Sequence, residues 1–379
     1  MTMRQPRKRV GPLARWLIGW GVALGALAGA WADPPPPLAL ERPTPDPAPV
    51  VAPAPALTAS APPVLTSPAA CPPPPGVPPA AQVAQLMRQA QDRGLMWRVT
   101  QGGRVSWLYG TIHAARLEWM FPGPQVRAAL GAAHRVALEL DMLDPDVQRQ
   151  MAQALRAEPG QVLLPPALAD ELAAAAQAEC AQATLAGLRP EMQIATLSLL
   201  VLRRDGLEPG YGVDGFLAGM AHGLGKRVMS LETPQAQMAA LRLDDAAERQ
   251  RMVVDGLQAL RSGHLRQQVR RLTQAWAEGD LDALEHYADW CDCLNTDAER
   301  AAMHRLLDER NPAMARQIAQ WHRGGLSIFA AVGALHLVGP KGLPALLAAQ
   351  GFQVQRVALG SAQSLPEPAL PMPGLGDPQ

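Results

Sequence analysis

The chain has 379 residues, with 34 basic and 34 acidic side chains and 48% apolar residues. That length allows one large domain or two ordinary ones, the apolar share is enough for a sizeable core, and the balanced charge leaves no electrostatic footprint for nucleic acid. Four cysteines are too few for a disulfide scaffold, and 38 prolines mark part of the chain as unlike a folded domain.

At the N-terminus, Arg4, Arg7, Lys8, Arg9 and Arg15 precede an uncharged run of 17 residues from Trp16 to Ala32, which closes on Ala30-Trp31-Ala32. A basic head, an apolar run and an A-x-A end form the tripartite pattern of a secretory signal peptide over residues 1–32. The alternative is an uncut membrane anchor, at the lower limit of spanning length. Export to the periplasm or beyond the cell is the expectation, with membrane contact only through this segment if it stays uncut. Cleavage removes five basic residues and no acidic ones, which leaves the exported form net acidic.

Residues 33–79 hold 19 prolines in 47 positions. Such a segment cannot bury enough apolar surface to offset its ordering entropy, so a disordered, semi-rigid Pro-rich spacer is expected. Cys71 lies about forty residues beyond the apolar run, too far for lipid attachment. Export permits disulfides, and Cys71, Cys180, Cys291 and Cys293 allow three pairings. A Cys-x-Cys pair closes poorly on itself because of ring strain, so the expectation is a link from Cys180 to the 291/293 pair. These cysteines read as structural, and no second pair stands at zinc spacing.

From residue 80 to about 360 short apolar runs alternate with helical patterns, followed by a flexible tail over 361–379. Strands are expected at Ser106–Tyr109, Arg135–Leu140, Arg227–Leu231, Leu326–Val332 and Phe352–Ala358. Helical periodicity marks Pro166–Gln182, Met192–Arg203, Val213–Leu224 and Asp244–Glu278, and Thr296 with Glu299 has capping-box spacing. Strands separated by helices imply one α/β domain with a mainly parallel or mixed sheet flanked by helices. Residues 234–324 read as a large helical insert.

The strand-like Trp107-Leu108-Tyr109 runs into Gly110-Thr111-Ile112-His113, and Phe329-Ala330-Ala331-Val332 runs into Gly333-Ala334-Leu335-His336. Both are G-x-x-H, 223 residues apart, and ligands of open α/β sheets sit outside the carboxyl ends of the strands. Glu139 and Glu232 close two other apolar runs, and a charge inside a buried strand needs a partner. Two histidines with one or two glutamates form a mixed N/O set suited to a divalent Mn, Co, Zn or Fe ion. In that arrangement His113, Glu139 and His336 hold the metal and Glu232 completes the shell or serves as general base. Arg310, in Arg310-Asn311-Pro312, either breaks a helix together with its proline or steadies a developing oxyanion. Asp214 starts a helix near the same edge. HExxH, GxSxG and Walker A motifs are absent from the sequence. Gly210-Tyr211-Gly212-Val213-Asp214-Gly215 spells GxGxxG without the strand that a dinucleotide site requires, and reads as a loop into a helix.

The pieces from Trp107 to His113, Leu138-Glu139-Leu140, Gly212-Val213-Asp214, Gly225-Lys226-Arg227-Val228, Leu231-Glu232-Thr233, Glu309-Arg310-Asn311 and Gly333 to Leu337 with Gly339, in this order, resemble the TraB/PrgY/GumN family, which includes the TIKI metalloproteases. The resemblance spans about residues 84–358. TIKI-type members are metal-dependent peptidases that use both G-x-x-H histidines and the glutamate, which the resemblance carries to His113, His336 and Glu139. Glu232, Asp214 and Arg310 match further family positions, and Asn311 joins them as a candidate. PrgY-like members are linked to blocking peptide pheromones. The resemblance therefore implies a metal-dependent hydrolase acting on a peptide or small molecule, with a non-catalytic envelope module that sequesters such a ligand as the alternative.

Overall fold

The computed structural model describes residues 71–72, 76, 78–291 and 293–359. The expected signal segment, nearly all of the Pro-rich spacer and the C-terminal tail lie outside the described residues. Among the described residues no helix is long and apolar enough to cross a membrane.

Six strands form one sheet: β1 (Met96–Gln101), β2 (Arg104–Thr111), β3 (Arg135–Leu138), β4 (Val228–Ser230), β5 (Ile328–Gly333) and β6 (Gln353–Val357), in the order β4-β3-β5-β2-β1-β6. β4, β3, β5 and β2 run parallel, and β1 is antiparallel to both β2 and β6. The sheet is therefore mixed, as the alternation of strands and helices implies. β5 is buried at every position, as a strand covered on both faces should be.

β1 is not among the strands expected from the sequence. It pairs with β2 through Gly102 and Gly103, both with positive φ (57° and 74°), the backbone that a two-residue hairpin demands. The helical run expected over Asp244–Glu278 is two helices, Ala246–Ser262 and His264–Glu278, parted at Gly263 with φ 71°. The region 234–324 is helical as expected, and Thr296 and Glu299 close a reciprocal capping box.

The expected link from Cys180 to the 291/293 pair is not formed. Cys71 bonds Cys180, and Cys291 bonds Cys293. The Cys-x-Cys pair closes on itself because its one-residue spacer still places the two Cα atoms 5.1 Å apart, within the ordinary disulfide range. The C-terminal end of the Pro-rich segment is accordingly bolted to the domain at Cys71. It meets the end of helix Pro166–Ala178, where Cys180 itself takes positive φ (53°).

Candidate active site

Because β2, β5, β3 and β4 are parallel, their carboxyl ends share one edge of the sheet. His113 follows β2, Glu139 follows β3, Glu232 follows β4 and His336 follows β5 in a short 3-10 turn (Ala334–Leu337). Thr111 stands opposite Gly333 in the β2–β5 register, which makes the two G-x-x-H segments neighbours. Beyond β3 and β4 the backbone pairing continues, with Leu231 N donating to Leu138 O and Glu232 N to Glu139 O. That continuation sets the two glutamates side by side.

Two like carboxylates in a buried place require a cation between them. Arg310 is that cation, and it is 7% exposed. Its Nε donates to Glu232 Oε1 (2.9 Å), and its Nη2 donates to Glu232 Oε2 (2.8 Å) and Glu139 Oε2 (2.6 Å). Nη1 donates to Leu306 O (2.9 Å) and lies 3.4 Å from His336 Nε2. The Leu306 carbonyl sits in a π-turn over His304–Asp308, just ahead of helix Asn311–Arg323. Such turns widen the backbone ladder, and here the guanidinium takes up one of its carbonyls. Pro312 stands in the first turn of the following helix, where its missing N–H costs nothing.

Glu139 also accepts from Gly333 N (2.8 Å) and from Gln237 Nε2 (3.3 Å). Burial raises its carboxyl, but the nearness of His336, Arg310 and His113 and the Gly333 hydrogen bond outweigh it, so it lies well below the usual carboxylate range. Glu232 moves the other way: burial lifts it, and Arg310 only partly opposes that. Two neighbouring carboxylates with their proton affinities pushed apart are the arrangement that separates a permanent anion from a proton carrier.

Both histidines are held through Nδ1. His113 Nδ1 lies 2.6 Å from Asp214 Oδ2, an ion-pair contact rather than an in-line hydrogen bond. Asp214 in turn accepts from the Thr111 hydroxyl. Asp214 is placed by the docking of helix Val213–Gly223 on the end of β2, where Val213 N donates to Ile112 O (2.9 Å). Gly212 is required at that junction, since a Cβ there would stand 2.9 Å from His113 O. His336 Nδ1 is 2.6 Å from Asn311 Oδ1. Asn311 Nδ2 donates to Lys341 O (2.8 Å), which turns its oxygen toward the imidazole. His336 therefore carries its proton on Nδ1 and turns the lone pair of Nε2 toward Arg310 Nη1, 3.4 Å away. That Nε2 is 3.7 Å from Glu139 Oε1. His113 Nε2 is buried without a hydrogen-bond partner.

Burial alone would pull His113 down, but Asp214 outweighs it and the net direction is upward. For His336 burial wins and holds it down to about 3. His336 is thus the neutral imidazole, and His113 the basic one supported by a carboxylate.

The structure brings all seven candidates from the sequence to one edge: His113, Glu139, Asp214, Glu232, Arg310, Asn311 and His336. It adds three that sequence reasoning missed. Thr111 lies inside the first G-x-x-H motif. Gln237, on helix Pro234–Leu241, had no signal beyond following Glu232 by five positions. Trp276 Nε1 donates to Gly110 O (2.7 Å) and fixes the first motif from the helical insert.

A family model described as the TraB/PrgY/gumN family matches residues 95–356, and the chain belongs to that family. No curated protein and no solved structure matches it.

Proposed function

We propose that the chain is an exported metal-dependent hydrolase of peptide-like substrates, with His113, His336 and Glu139 as the set that would hold a divalent Mn, Co, Zn or Fe ion. The observation that carries this reading is the shared arrangement of the two imidazoles. Each has its Nδ1 occupied, by Asp214 or by Asn311; His113 Nε2 has no hydrogen-bond partner, and His336 Nε2 has only the long contact from Arg310 Nη1 (3.4 Å). Metal-ligating histidines are oriented in this way by an acceptor behind them. Charge supports the same reading. Glu139 and Glu232 share a single guanidinium, which leaves room beside them for a further positive charge. Among the described residues no three His, Cys, Asp or Glu side chains stand already drawn together as a cage, and the fit rests on donor chemistry.

Bound there, a divalent ion supplies Lewis-acid activation of a carbonyl and of the attacking water. The chain's own residues do the rest. Glu232, whose proton affinity burial raises, takes a proton at its carboxylate and returns it to the leaving group. Arg310 has donors on all three nitrogens engaged by protein acceptors, so it serves by holding Glu139 ionised and Glu232 in place. Asp214 and Asn311 keep the two imidazoles in one tautomer and one orientation. The exported placement agrees with two formed disulfides, which persist in oxidising compartments.

The test is elemental analysis of the purified chain beside its His113→Ala/His336→Ala variant, with a peptide-library digest run with and without a chelator. The expected result is stoichiometric metal that the variant loses, with cleavage that the chelator stops. Metal and peptide binding without cleavage would replace the hydrolase by a sequestering module. Metal content equal in both proteins would remove the site.

A further inference from the structure

A cleft of about 460 Å³ opens where the loop beyond His113 meets helix His264–Glu278. Its lining includes Arg116, Trp119, Asp205, Gln267, Arg270 and Arg271. Both oxygens of Asp205 are taken by Arg266, Oδ2 by Nε (2.5 Å) and Oδ1 by Nη2 (2.6 Å). Arg270 stands farther away, 3.8 Å from Oδ1. The acid of the cleft is thus already neutralised, and the remaining arginines leave it positive.

Two of those arginines are presented in a particular way. The Arg116 guanidinium lies over the Trp119 ring, 5.5 Å from its centroid, and Arg271 lies over Trp290 at 4.3 Å. Neither has a carboxylate partner among the described residues, and both are exposed. Stacking on an indole fixes the plane of a guanidinium while its N–H edge stays open. Such an edge matches a carboxylate with two parallel hydrogen bonds.

The cleft is sewn to the candidate active site by one strap. Ala115 and Glu208 exchange backbone hydrogen bonds (3.1 and 2.8 Å), Leu207 forms a wall of the cleft, and Gly212 packs beneath the His113 carbonyl. We propose that this cleft is a recognition subsite for the carboxylates of an acidic peptide, which specifies the substrate class of the hydrolase reading and rests on it. A peptide fits better than a polyphosphate chain, because the Gln267 amide in the lining offers a partner for a peptide backbone.

The experiment uses the full chain with a chelator present, so that binding is measured apart from turnover. Labelled hexaglutamate is followed by fluorescence anisotropy, with hexaglutamine and a short single-stranded oligonucleotide as competitors. Hexaglutamate should bind, and Arg116→Ala/Arg271→Ala should weaken it by about tenfold or more, the loss of charge-assisted hydrogen bonds. The charge-reversed Arg116→Glu/Arg271→Glu should abolish binding while circular dichroism stays unchanged. Equal competition by hexaglutamine, stronger competition by the oligonucleotide, or affinity unchanged in both variants would overturn the proposal. Failure of the two readings is distinguishable. Hexaglutamate bound at the cleft but never cut when metal is restored would keep the subsite and remove the peptidase. Metal-dependent cleavage with no preference for acidic residues, and no effect of the arginines, would keep the peptidase and remove the subsite.

Discussion

Arg310 and the two glutamates it joins were legible in the sequence as charges at the ends of apolar runs, because a carboxylate in a buried strand needs a partner. What the sequence could not convey is how completely the guanidinium is used. An oxyanion-steadying role and a helix break were both open, and the structure gives Arg310 to Glu232, Glu139 and Leu306 O. Removing one member of such a buried set leaves an uncompensated charge, which costs about 3–5 kcal/mol. Arg310→Ala should therefore lose about that much stability in urea unfolding, and Arg310→Ala/Glu232→Gln should recover part of it, because the second change removes one of the stranded carboxylates. Equal loss in the single and double variants would deny that charge repulsion is the cause. Asn311 was visible only as a neighbour of Arg310. Its reason for being an amide appears in three dimensions, where Lys341 O orders the side chain and so the tautomer of His336.

At the scale of elements, β2, β5 and the helix Asn311–Arg323 are joined near the amino ends of the two strands by a buried cluster that no motif foretold. His322 Nδ1 is 2.8 Å from Ser106 Oγ, and its Nε2 is 3.0 Å from Gln101 O. Ser106 Oγ accepts from Ile328 N (3.0 Å), so its proton goes to His322 Nδ1, and Nε2–H donates to Gln101 O. The imidazole is held neutral, and burial is the main cause of its lowered pKa. The unfolded chain takes up a proton near the ordinary histidine value of about 6.5, whereas the folded chain does so only at lower pH. The contribution of His322 is therefore complete above that value and is lost as pH falls below it. Denaturant midpoints at pH 7.5 and 5 should show this fall, and His322→Gln should fall less; equal falls would contradict the assignment. The strands from β2 onward and the helices starting at Pro166, Val213 and Asp297 were legible from hydrophobic runs, helical period and, at Thr296, a capping residue, whereas the helices Pro124–Ala132 and Pro145–Ala154 were not. β1 was not, since its alternation is short and the Gly102-Gly103 turn carries most of its signal. The break at Gly263 was hidden because both helices keep the same apolar period across it.

For the whole molecule, the sequence order of the family motifs encodes closeness that no local pattern displays. His113 and His336 come to the same sheet edge because β2 and β5 are adjacent and parallel, a topology that alternating strands and helices permit but do not single out. The disulfide pairing was the least legible feature, since connectivity depends on where chain ends come to rest. Cys71–Cys180 closes a loop of sequence separation 109, and cross-links of this kind stabilise by about 2–4 kcal/mol. Cys71→Ser/Cys180→Ser should lower stability by that order and expose the chain before Ala80 to limited proteolysis; an unchanged unfolding midpoint would show that the bridge anchors only the spacer. The central claim is that the fold gathers two distant G-x-x-H motifs and Glu139 into one metal-binding set. Titration of the chelator-stripped chain with Co(II), followed by its visible absorption, tests this most directly. The account predicts one equivalent bound with the bands of a nitrogen- and oxygen-ligated ion, and loss of those bands in His113→Ala and in His336→Ala alike. Saturation that persists in both variants, or no binding by the parent chain, would contradict it.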